Sequence, residues 1–204
     1  MATLAHVPFV AAANAALPFI NIKELAAYAA KNPVSFGSAG NGSVNHLLGE
    51  MFAATSQAKM LHVPYKGAAP ALMNLMAGHI QLAFTSLPSV ARHIRAGTVK
   101  GLGVTGARRA QAFKDIPTVA ESGYPGFVIN HWFGLFAFKG KQAAVVRQIN
   151  ADMKKILQDK DTLERFALLG AEPFDSTPQE LAAMLNKDIQ TWAVVVKSSG
   201  ASAE

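Results

Sequence analysis

The stretch that decides the fold of this 204-residue chain is Val34-Ser35-Phe36-Gly37-Ser38-Ala39-Gly40-Asn41-Gly42-Ser43, followed by an apolar-periodic run that starts at Val44. The pattern predicts a strand, a glycine turn and a helix. Glycine at three of the six positions 37–42 permits left-handed backbone angles and lets backbone N–H groups come close to a ligand. The unpaired N–H groups at the start of the predicted helix point back at this turn, and such a place attracts anions.

Two nucleotide-binding motifs fail on this turn. Gly37 and Gly42 have the outer spacing of a phosphate-binding loop, but Ser43-Val44 stands where that motif needs Lys followed by Ser or Thr. Asn45 replaces the third glycine of a dinucleotide fingerprint. Because His46 stands where a capping box has Glu or Gln, no side-chain carboxylate occupies the anion position. The turn suits a carboxylate from outside, and an ordinary ligand-free glycine turn is the equal alternative.

Composition restricts the classes of protein that fit. Half of the residues are hydrophobic and 16% are charged, which predicts a globular chain with a substantial core. The chain has no cysteine, which excludes disulfides, thiol chemistry and cysteine metal sites. The net charge is +6, and the basic residues between positions 92 and 114 lack interleaved aromatic residues, so we expect a solvated basic face and no nucleic-acid partner. No apolar run is long enough to cross a bilayer.

Strands alternate with helices through the first half of the chain. Strands are predicted at residues 34–37, 59–63, 80–84 and 99–104, with helices between them. This alternation predicts a mainly parallel sheet with right-handed crossovers, in which ligands bind outside the carboxyl ends of the strands. The polar turns at residues 37–43, 64–67 and 85–86 would therefore share one edge of the sheet.

The remaining segments carry simpler signals. Residues 3–13 are predicted to be extended, and the run 132–138 is so apolar that it should lie inside a sheet. Helices are predicted at 142–157 and 162–169. The final helix starts at the capping box Thr177-Pro178-Gln179-Glu180. Its apolar residues are expected to face a core: Leu181, Met184, Leu185, Ile189 and Trp192.

Six motifs follow one another along nearly the whole chain: Asn32-Pro33, the glycine turn with His46, His62-Val63-Pro64-Tyr65-Lys66-Gly67, Asp115-Ile116-Pro117-Thr118-Val119-Ala120-Glu121, Trp132-Phe133-Gly134-Leu135 and Leu169-Gly170-Ala171-Glu172-Pro173. This succession closely resembles the solute-binding receptors of tripartite tricarboxylate transporters, the Bug-type proteins. The resemblance implies a periplasmic-binding-protein type II-like α/β fold with two lobes and mainly parallel sheets. It implies a periplasmic receptor that passes a small carboxylate to the membrane components of a transporter, without catalysis, metal or cofactor.

The lobes and the binding residues follow from the predicted elements and this resemblance together. Residues 10–129 are predicted to form the ligand-binding lobe, and residues 1–9 and 130–204 the remainder of the other lobe. The predicted ligand-binding residues are Ser38, Gly40, Asn41, Gly42, Ser43, His46, Tyr65, Lys66, Thr85 and Ser86.

The chain departs from the family pattern in two places. It opens after the segment that carries a Pro-Pro-Gly-Gly-like ligand loop, so the second lobe is expected to be incomplete and to self-associate as a homodimer. Met1-Ala2-Thr3-Leu4 is no secretory signal, which predicts a cytoplasmic location if the chain is the full product. Thr85-Ser86 stands where the family often has an acidic residue with Asn, which favours a plain carboxylate, either a di- or tricarboxylate or an aromatic acid, over an amino acid.

Two other functions compete with the receptor. A truncated receptor lobe could act as an interaction or sensor module without binding a ligand. A small hydrolase would pair Ser43 or Ser38 with His46, or His62 with Glu121. Neither pairing has the spacing of a nucleophile elbow or a metal site, so we expect no enzyme.

Overall fold

The computed structural model describes residues 2–129, 131–138, 140 and 142–199. Residues 130, 139, 141 and 200–204 of the predicted second lobe, and residue 1, lie outside this description. The strands are β1 (Ala2–His6), β2 (Phe9–Asn14), β3 (Val34–Ser38), β4 (Met60–Pro64), β5 (Leu82–Ser86), β6 (Val99–Val104), β7 (Trp132–Leu135) and β8 (Glu172–Pro173). The helices are α1 (Ile22–Lys31), α2 (Val44–Ser56), α3 (Ala68–Met76), α4 (Leu87–Arg95), α5 (Ala143–Gln158), α6 (Lys160–Leu169) and α7 (Pro178–Ser199).

A five-stranded sheet with the order β4-β3-β5-β2-β6 forms the larger layer. β3 pairs in parallel with both β4 and β5. β2 pairs antiparallel with both β5 and β6, so β6 runs in the same direction as β3, β4 and β5. The sheet is therefore mainly parallel, as the alternation predicted, and β2 is its reversed strand. Ser38, Pro64 and Ser86 end their strands at the same edge.

The carboxyl end of β5 differs from the prediction. Thr85 and Ser86 were predicted to form a turn, but they are the last two residues of β5. Thr85 lies opposite Val10 and Ser86 opposite Phe9 on β2. The prediction was wrong because β2 runs alongside β5 to its end and supplies ladder partners for both residues. The short polar segment alone does not show that pairing.

Helices cover both faces of this sheet. Leu82 and Phe84 of β5 pack into one core with residues of α1 and α2, whereas Ala83 packs into another core with residues of α3 and α4. This distribution follows from the two-residue period of a strand, which sends successive side chains to opposite faces. Because apolar helix surfaces cover both faces, the sequences of these strands are mainly apolar and do not alternate regularly between apolar and polar residues.

The predicted single extended segment at residues 3–13 is in fact two strands in two sheets. β1 and β2 are separated by Val7-Pro8, and β1 belongs to a three-stranded antiparallel sheet with the order β7-β1-β8. The backbone of the link is bonded on both sides. Val7 N–H donates to His131 O at 2.8 Å, and Pro8 O accepts from Leu87 N–H at 2.9 Å. The two sheets are therefore joined by a short linker whose backbone is hydrogen-bonded to neighbouring segments.

The apolar segment after His131 is not buried as predicted. β7 has four residues and lies at the edge of its sheet. Phe133 is 51% exposed and Phe138 is 88% exposed. The prediction was wrong because, within the described residues, β7 has a partner strand on one side only. Hydrophobicity indicates that a segment favours burial, but not whether a partner is present to bury it.

The final helix starts as predicted and buries less than predicted. Thr177 N–H donates to Glu180 Oε2 at 2.8 Å and Glu180 N–H to Thr177 Oγ1 at 3.2 Å, which completes the capping box. Leu181 is buried and Trp192 packs against the core that contains Phe52. Leu185 and Ile189 are exposed, contrary to the prediction. Within the described residues, no helix is long and apolar enough to cross a membrane.

Gly49 tests the packing of α2 on β3. A Cβ added at Gly49 would lie 2.1 Å from Phe36 Cε2, and Phe36 is fully buried. Alanine favours a helix interior by about 1 kcal/mol over glycine, but overpacking a core costs about 1–3 kcal/mol. We therefore expect Gly49→Ala to lower the free energy of unfolding, measured by urea denaturation.

The matched control is Gly126→Ala, where an added Cβ meets no atom within 4 Å. Its free energy of unfolding should stay within about 0.5 kcal/mol of the parent value. A Gly49→Ala variant as stable as the control would show that α2 can move away from β3 without cost.

Candidate ligand-binding site

The glycine turn has the conformation that its sequence predicts. β3 ends at Ser38 and α2 begins at Val44 with Ser43 as its N-cap. Gly40 and Gly42 have φ angles of +123° and +70°, in the region that favours glycine. Ser43 Oγ accepts from His46 N–H at 3.3 Å, as a helix N-cap does. The residues of this turn, 39–43, are called the glycine loop below.

Several N–H groups of the glycine loop are bonded within the loop and its supports. Gly40 N–H donates to Ser38 Oγ at 3.1 Å, and Ser43 N–H donates to Gly40 O at 3.2 Å. Gly42 N–H donates to His46 Nδ1 at 3.1 Å. His46 thus accepts from the residue before the N-cap, whereas the Glu of a capping box accepts from the N-cap N–H itself, which here bonds Gly40 O. The predicted role of the loop amides in ligand binding stays a prediction.

The first two amides of α2 are the free donors beside the loop. Within the described residues, the N–H groups of Val44 and Asn45 have no hydrogen-bond acceptor. This is the usual condition of the first helical turn, whose N–H groups have no carbonyl four residues earlier inside the helix. They carry the positive end of the helix dipole, which favours a bound anion.

Asn45 connects the start of α2 to the edge of the sheet. Its Nδ2 donates to Phe84 O at 2.7 Å, so α2 begins directly beside the end of β5. Thr85 is 4% exposed, and its hydroxyl has no hydrogen-bond partner among the described residues. Ser86 caps α4, and its hydroxyl is 2.6 Å from Ser89 Oγ. The hydroxyls and the free amides thus lie along one edge of the five-stranded sheet.

The turn after β4 lies at the same edge. Tyr65 N–H donates to Ser38 O at 3.2 Å, and the Tyr65 ring lies against Gly37, whose added Cβ would be 3.3 Å from Cε2. Lys66 is exposed and makes no ion pair with any described residue. Three of the predicted site residues are exposed to solvent: Asn41, Gly42 and Lys66.

Two histidines stack beneath the glycine loop. The ring centroids of His46 and His62 are 3.7 Å apart with an interplanar angle of 12°. Ser38 Oγ is 2.6 Å from His62 Nε2, and Ser38 is fully buried. Burial, and then the neighbouring His46, lower the pKa of His62 to about 4, so this ring is neutral at pH 7. His46 Nε2 lies 3.6 Å from Glu50 Oε1.

Sequence reasoning paired these residues differently. It placed Ser38 with His46 and His62 with Glu121, but Ser38 bonds His62 instead. Glu121 accepts from Arg109 Nε at 2.9 Å and from Thr118 N–H at 2.9 Å. The signal that was missed is the register of β3 and β4, in which Phe36 lies opposite His62. Ser38 follows Phe36 by two residues and is therefore on the same face of the sheet.

A cavity between the two sheets lies away from the glycine loop. It has a volume of about 450 Å³ and lies where the chain crosses between the sheets, beside His6, Arg108, His131 and Glu172. Arg108 is paired with Glu172 at 2.6 Å, and burial lowers the pKa of both histidines. The lining of this cavity therefore offers no unpaired cationic side chain to a carboxylate.

A second cavity adjoins the start of α2. It has a volume of about 290 Å³ and its lining is mainly apolar: Val44, His131, Trp132, Leu185, Asp188, Ile189 and Trp192. The carboxylate of Asp188 accepts from Trp132 Nε1 at 2.6 Å. Among the described residues, no group of three or more His, Asp or Glu side chains is arranged so that it could hold a metal ion.

Several solved structures share this arrangement, and one of them is a periplasmic binding protein. The chain aligns over its whole length with the periplasmic binding protein BugD, with a TM-score of 0.90 and 33% identity, and covers 69% of that protein. It aligns over 98% of its length with R. palustris Rpa4515 with adipate, with a TM-score of 0.91 and 30% identity, and covers 68% of that chain. MatC from Rhodopseudomonas palustris with bound malate gives a TM-score of 0.82 at 28% identity, over 95% of this chain and 68% of that one. The fold is thus that of a type II-like periplasmic binding protein.

Sequence comparison then defines the family. The chain belongs to the tripartite tricarboxylate transporter family receptors, whose family model matches residues 1–201. It is 35% identical over 197 residues to the protein BugT of Bordetella pertussis, over 96% of this chain and 60% of BugT. It is also 35% identical to a UPF0065 protein of Pseudomonas sp. strain P51, over 94% of this chain and 58% of that protein. The chain therefore spans about 60% of the length of these relatives.

Asn45 tests the connection between α2 and β5. In Asn45→Asp the donor facing Phe84 O becomes an acceptor, and an unsatisfied buried polar group costs about 1–3 kcal/mol. The new charge in the first helical turn returns about 0.3–1 kcal/mol through the helix dipole, so the net effect should be destabilising. The free energy of unfolding, measured by urea denaturation, should fall.

Asn186→Asp is the control, because Asn186 is an exposed residue in the middle of α7. Its free energy of unfolding should stay within about 0.5 kcal/mol of the parent value. Equal stability of the two variants would contradict the structural role of the Asn45 side chain.

Proposed function

We propose that this chain is an extracytoplasmic solute-binding protein that captures a small carboxylate for a tripartite tricarboxylate-type transporter. The observation that carries the proposal is the pair of N–H groups at Val44 and Asn45 that have no acceptor among the described residues, beside Thr85, whose hydroxyl likewise has no hydrogen-bond partner there. Donors without internal partners at a helix start suit a carboxylate, which accepts hydrogen bonds and carries negative charge. Family membership and the adipate- and malate-bound similar structures support the same ligand chemistry.

The predicted binding residues keep distinct roles in this proposal. Ser43 and Gly42 shape the approach to the free amides, whereas Thr85 and Ser86 supply hydroxyls from the end of β5. We propose that residues 10–129 form the ligand-binding lobe and that residues 1–9 and 130–204 belong to the other. Membrane components of the transporter are the proposed protein partners, by family membership.

A hydrolase is the weaker alternative. The hydroxyl of Ser38 has a histidine neighbour, but Ser38 is fully buried, so a substrate carbonyl cannot approach its Oγ. Ser43 Oγ donates to Gly40 O at 2.7 Å, and no imidazole of the described residues is bonded to it to remove its proton. We therefore propose a receptor that catalyses no reaction.

Nucleic acid is likewise not a proposed partner. Arg108 and Arg109 are paired with Glu172 and Glu121, and the Arg95 guanidinium lies 4.7 Å from the centroid of the Phe113 ring. Basic residues engaged in this way contribute less to a phosphate-binding surface than free ones.

The apolar cavity beside α2 separates the two proposed ligand classes. Val44 joins this cavity to the free amides, and Trp132 and Trp192 line it. An aromatic acid could place its ring there with its carboxylate at the amides. A second carboxylate would meet Asp188 and no cation among the lining residues. Parallel calorimetric titrations with benzoate, adipate and malate distinguish an aromatic acid from a dicarboxylate as the ligand.

Gly42 tests the location of the site. Its φ of +70° is strained for any β-branched residue, by about 1–2 kcal/mol or more. Gly42→Val should therefore distort the loop and lower the affinity for the carboxylate bound by the parent by about tenfold or more. Calorimetric titration measures this loss.

Gly42→Asn is the matched variant, since asparagine adopts left-handed angles more readily than other residues with a side chain. We expect it to retain most of the affinity. A Gly42→Val variant that stays folded by circular dichroism and binds as tightly as the parent would place the ligand elsewhere.

We further propose that a second copy of the chain covers the exposed apolar side chains around β7 and α7. Phe133 and Ile189 are 51% and 58% exposed, and β7 is an edge strand that can pair with another strand.

Light scattering should show a dimer whose population rises with concentration. Phe133→Thr with Ile189→Lys should shift it to monomer, whereas Leu61→Lys on the edge strand β4 should not. A parent chain that remains monomeric at high concentration would contradict this proposal.

A further inference from the structure

Three residues beneath the glycine loop form a connected set that the predicted site did not include as such. Ser38 Oγ is 2.6 Å from His62 Nε2 and accepts from Gly40 N–H at 3.1 Å. His46 stacks on His62 and accepts from Gly42 N–H at 3.1 Å. The two glycines with left-handed backbone angles in the loop are therefore each held by a side chain of this set.

The direction of the hydrogen bond between Ser38 and His62 follows from counting acceptors. Gly40 O already accepts from Ser43 Oγ at 2.7 Å and from Ser43 N–H at 3.2 Å, which uses both of its lone pairs. The Ser38 hydroxyl has two acceptors within reach, Gly40 O at 3.1 Å and His62 Nε2 at 2.6 Å. Because both lone pairs of Gly40 O are used and His62 Nε2 is nearer, we assign the hydroxyl hydrogen to His62 Nε2. This assignment places the ring proton of His62 on Nδ1.

His46 has the opposite tautomer. Because its Nδ1 accepts from Gly42 N–H, that nitrogen carries no proton, and the proton is on Nε2, which faces Glu50 Oε1 at 3.6 Å. The two stacked imidazoles thus each present one unprotonated nitrogen to the loop side of the structure. Burial, and then the neighbouring His46, lower the pKa of His62, so its acceptor nitrogen Nε2 carries no proton at neutral pH.

We propose that His62 is a positioning residue for carboxylate binding: it fixes the hydroxyl of Ser38, which in turn holds Gly40 and so sets the shape of the glycine loop. This inference rests on the proposed function for its effect on binding, but its structural part does not require a ligand. A free loop would have to become ordered when the ligand binds, and side chains that order it beforehand remove that cost. His62 itself does not contact the ligand.

Two substitutions separate the acceptor function of His62 from its packing. His62→Phe keeps a ring that can stack on His46 but removes the acceptor for Ser38. His62→Gln supplies an amide oxygen near the position of Nε2. We expect the affinity for the carboxylate bound by the parent to fall about tenfold in His62→Phe and to stay within about threefold in His62→Gln. Ser38→Ala should lose about as much as His62→Phe, and the double variant should lose no more than either one, because both act through the same bond.

Nuclear magnetic resonance tests the same inference without a ligand. The ¹⁵N shifts of the imidazoles should identify the Nδ1–H tautomer for His62 and the Nε2–H tautomer for His46 at pH 7. The amide signals of Gly40 and Gly42 should move in His62→Phe and remain near the parent positions in His62→Gln. Circular dichroism confirms that the variants are folded, and Leu61→Phe, an exposed neighbour on β4, is the control for adding a ring to this strand.

The outcomes are distinguishable from those of the proposed function. If the parent binds none of the carboxylates, the proposed function is wrong, and the tautomers and glycine amide signals alone decide the role of His62. If the parent binds a carboxylate and folded His62→Phe binds it equally well, the positioning role is wrong while the function stands. The Nε2–H tautomer for His62 would overturn the inference in either case.

Discussion

The antiparallel strand β2 is the constraint on which the arrangement of the molecule depends. It is hydrogen-bonded along both sides, between β5 and β6, and residues Val10 to Ala13 are completely buried. The link Val7-Pro8 joins it directly to β1 in the second sheet. Because β2 runs against its neighbours, it enters the larger sheet at the carboxyl edge of β5. The connection between the sheets is therefore placed at the same edge as the glycine loop and the hydroxyls of Thr85 and Ser86.

The glycine loop shows how a flexible composition yields a defined shape. Glycine gives the backbone access to left-handed angles but loses much conformational freedom on folding. Here the bonds from Gly40 to Ser38 and from Gly42 to His46 restrict the loop without a ligand. The N–H groups without an acceptor among the described residues then lie at Val44 and Asn45, in the first turn of α2.

Sequence reasoning succeeded where the signal is local and failed where a partner strand or residue decides. The caps at Ser43 and Thr177 were predicted from neighbouring residues, and the strand–helix alternation indicated a mainly parallel sheet. The turn predicted at Thr85-Ser86 is a strand because β2 lies beside it. The segment after His131 was predicted to be buried, but β7 lacks a second neighbour among the described residues. The pairing of Ser38 with His62 depends on the register of two strands that are separated by α2.

The sequence by itself determined the family, the starts of α2 and α7, the glycine loop and the strand–helix alternation from β3 to β6, because each is encoded by residues close together in the chain. Tertiary structure decided which groups meet. It brought His62 to Ser38, Asn45 to Phe84 O and the reversed β2 between β5 and β6. It also left Phe133 and Ile189 exposed although both are apolar. The physical reason is that burial and hydrogen bonding each need two partners. A sequence segment specifies which groups it can offer, but the packing of distant segments decides whether a partner lies against them.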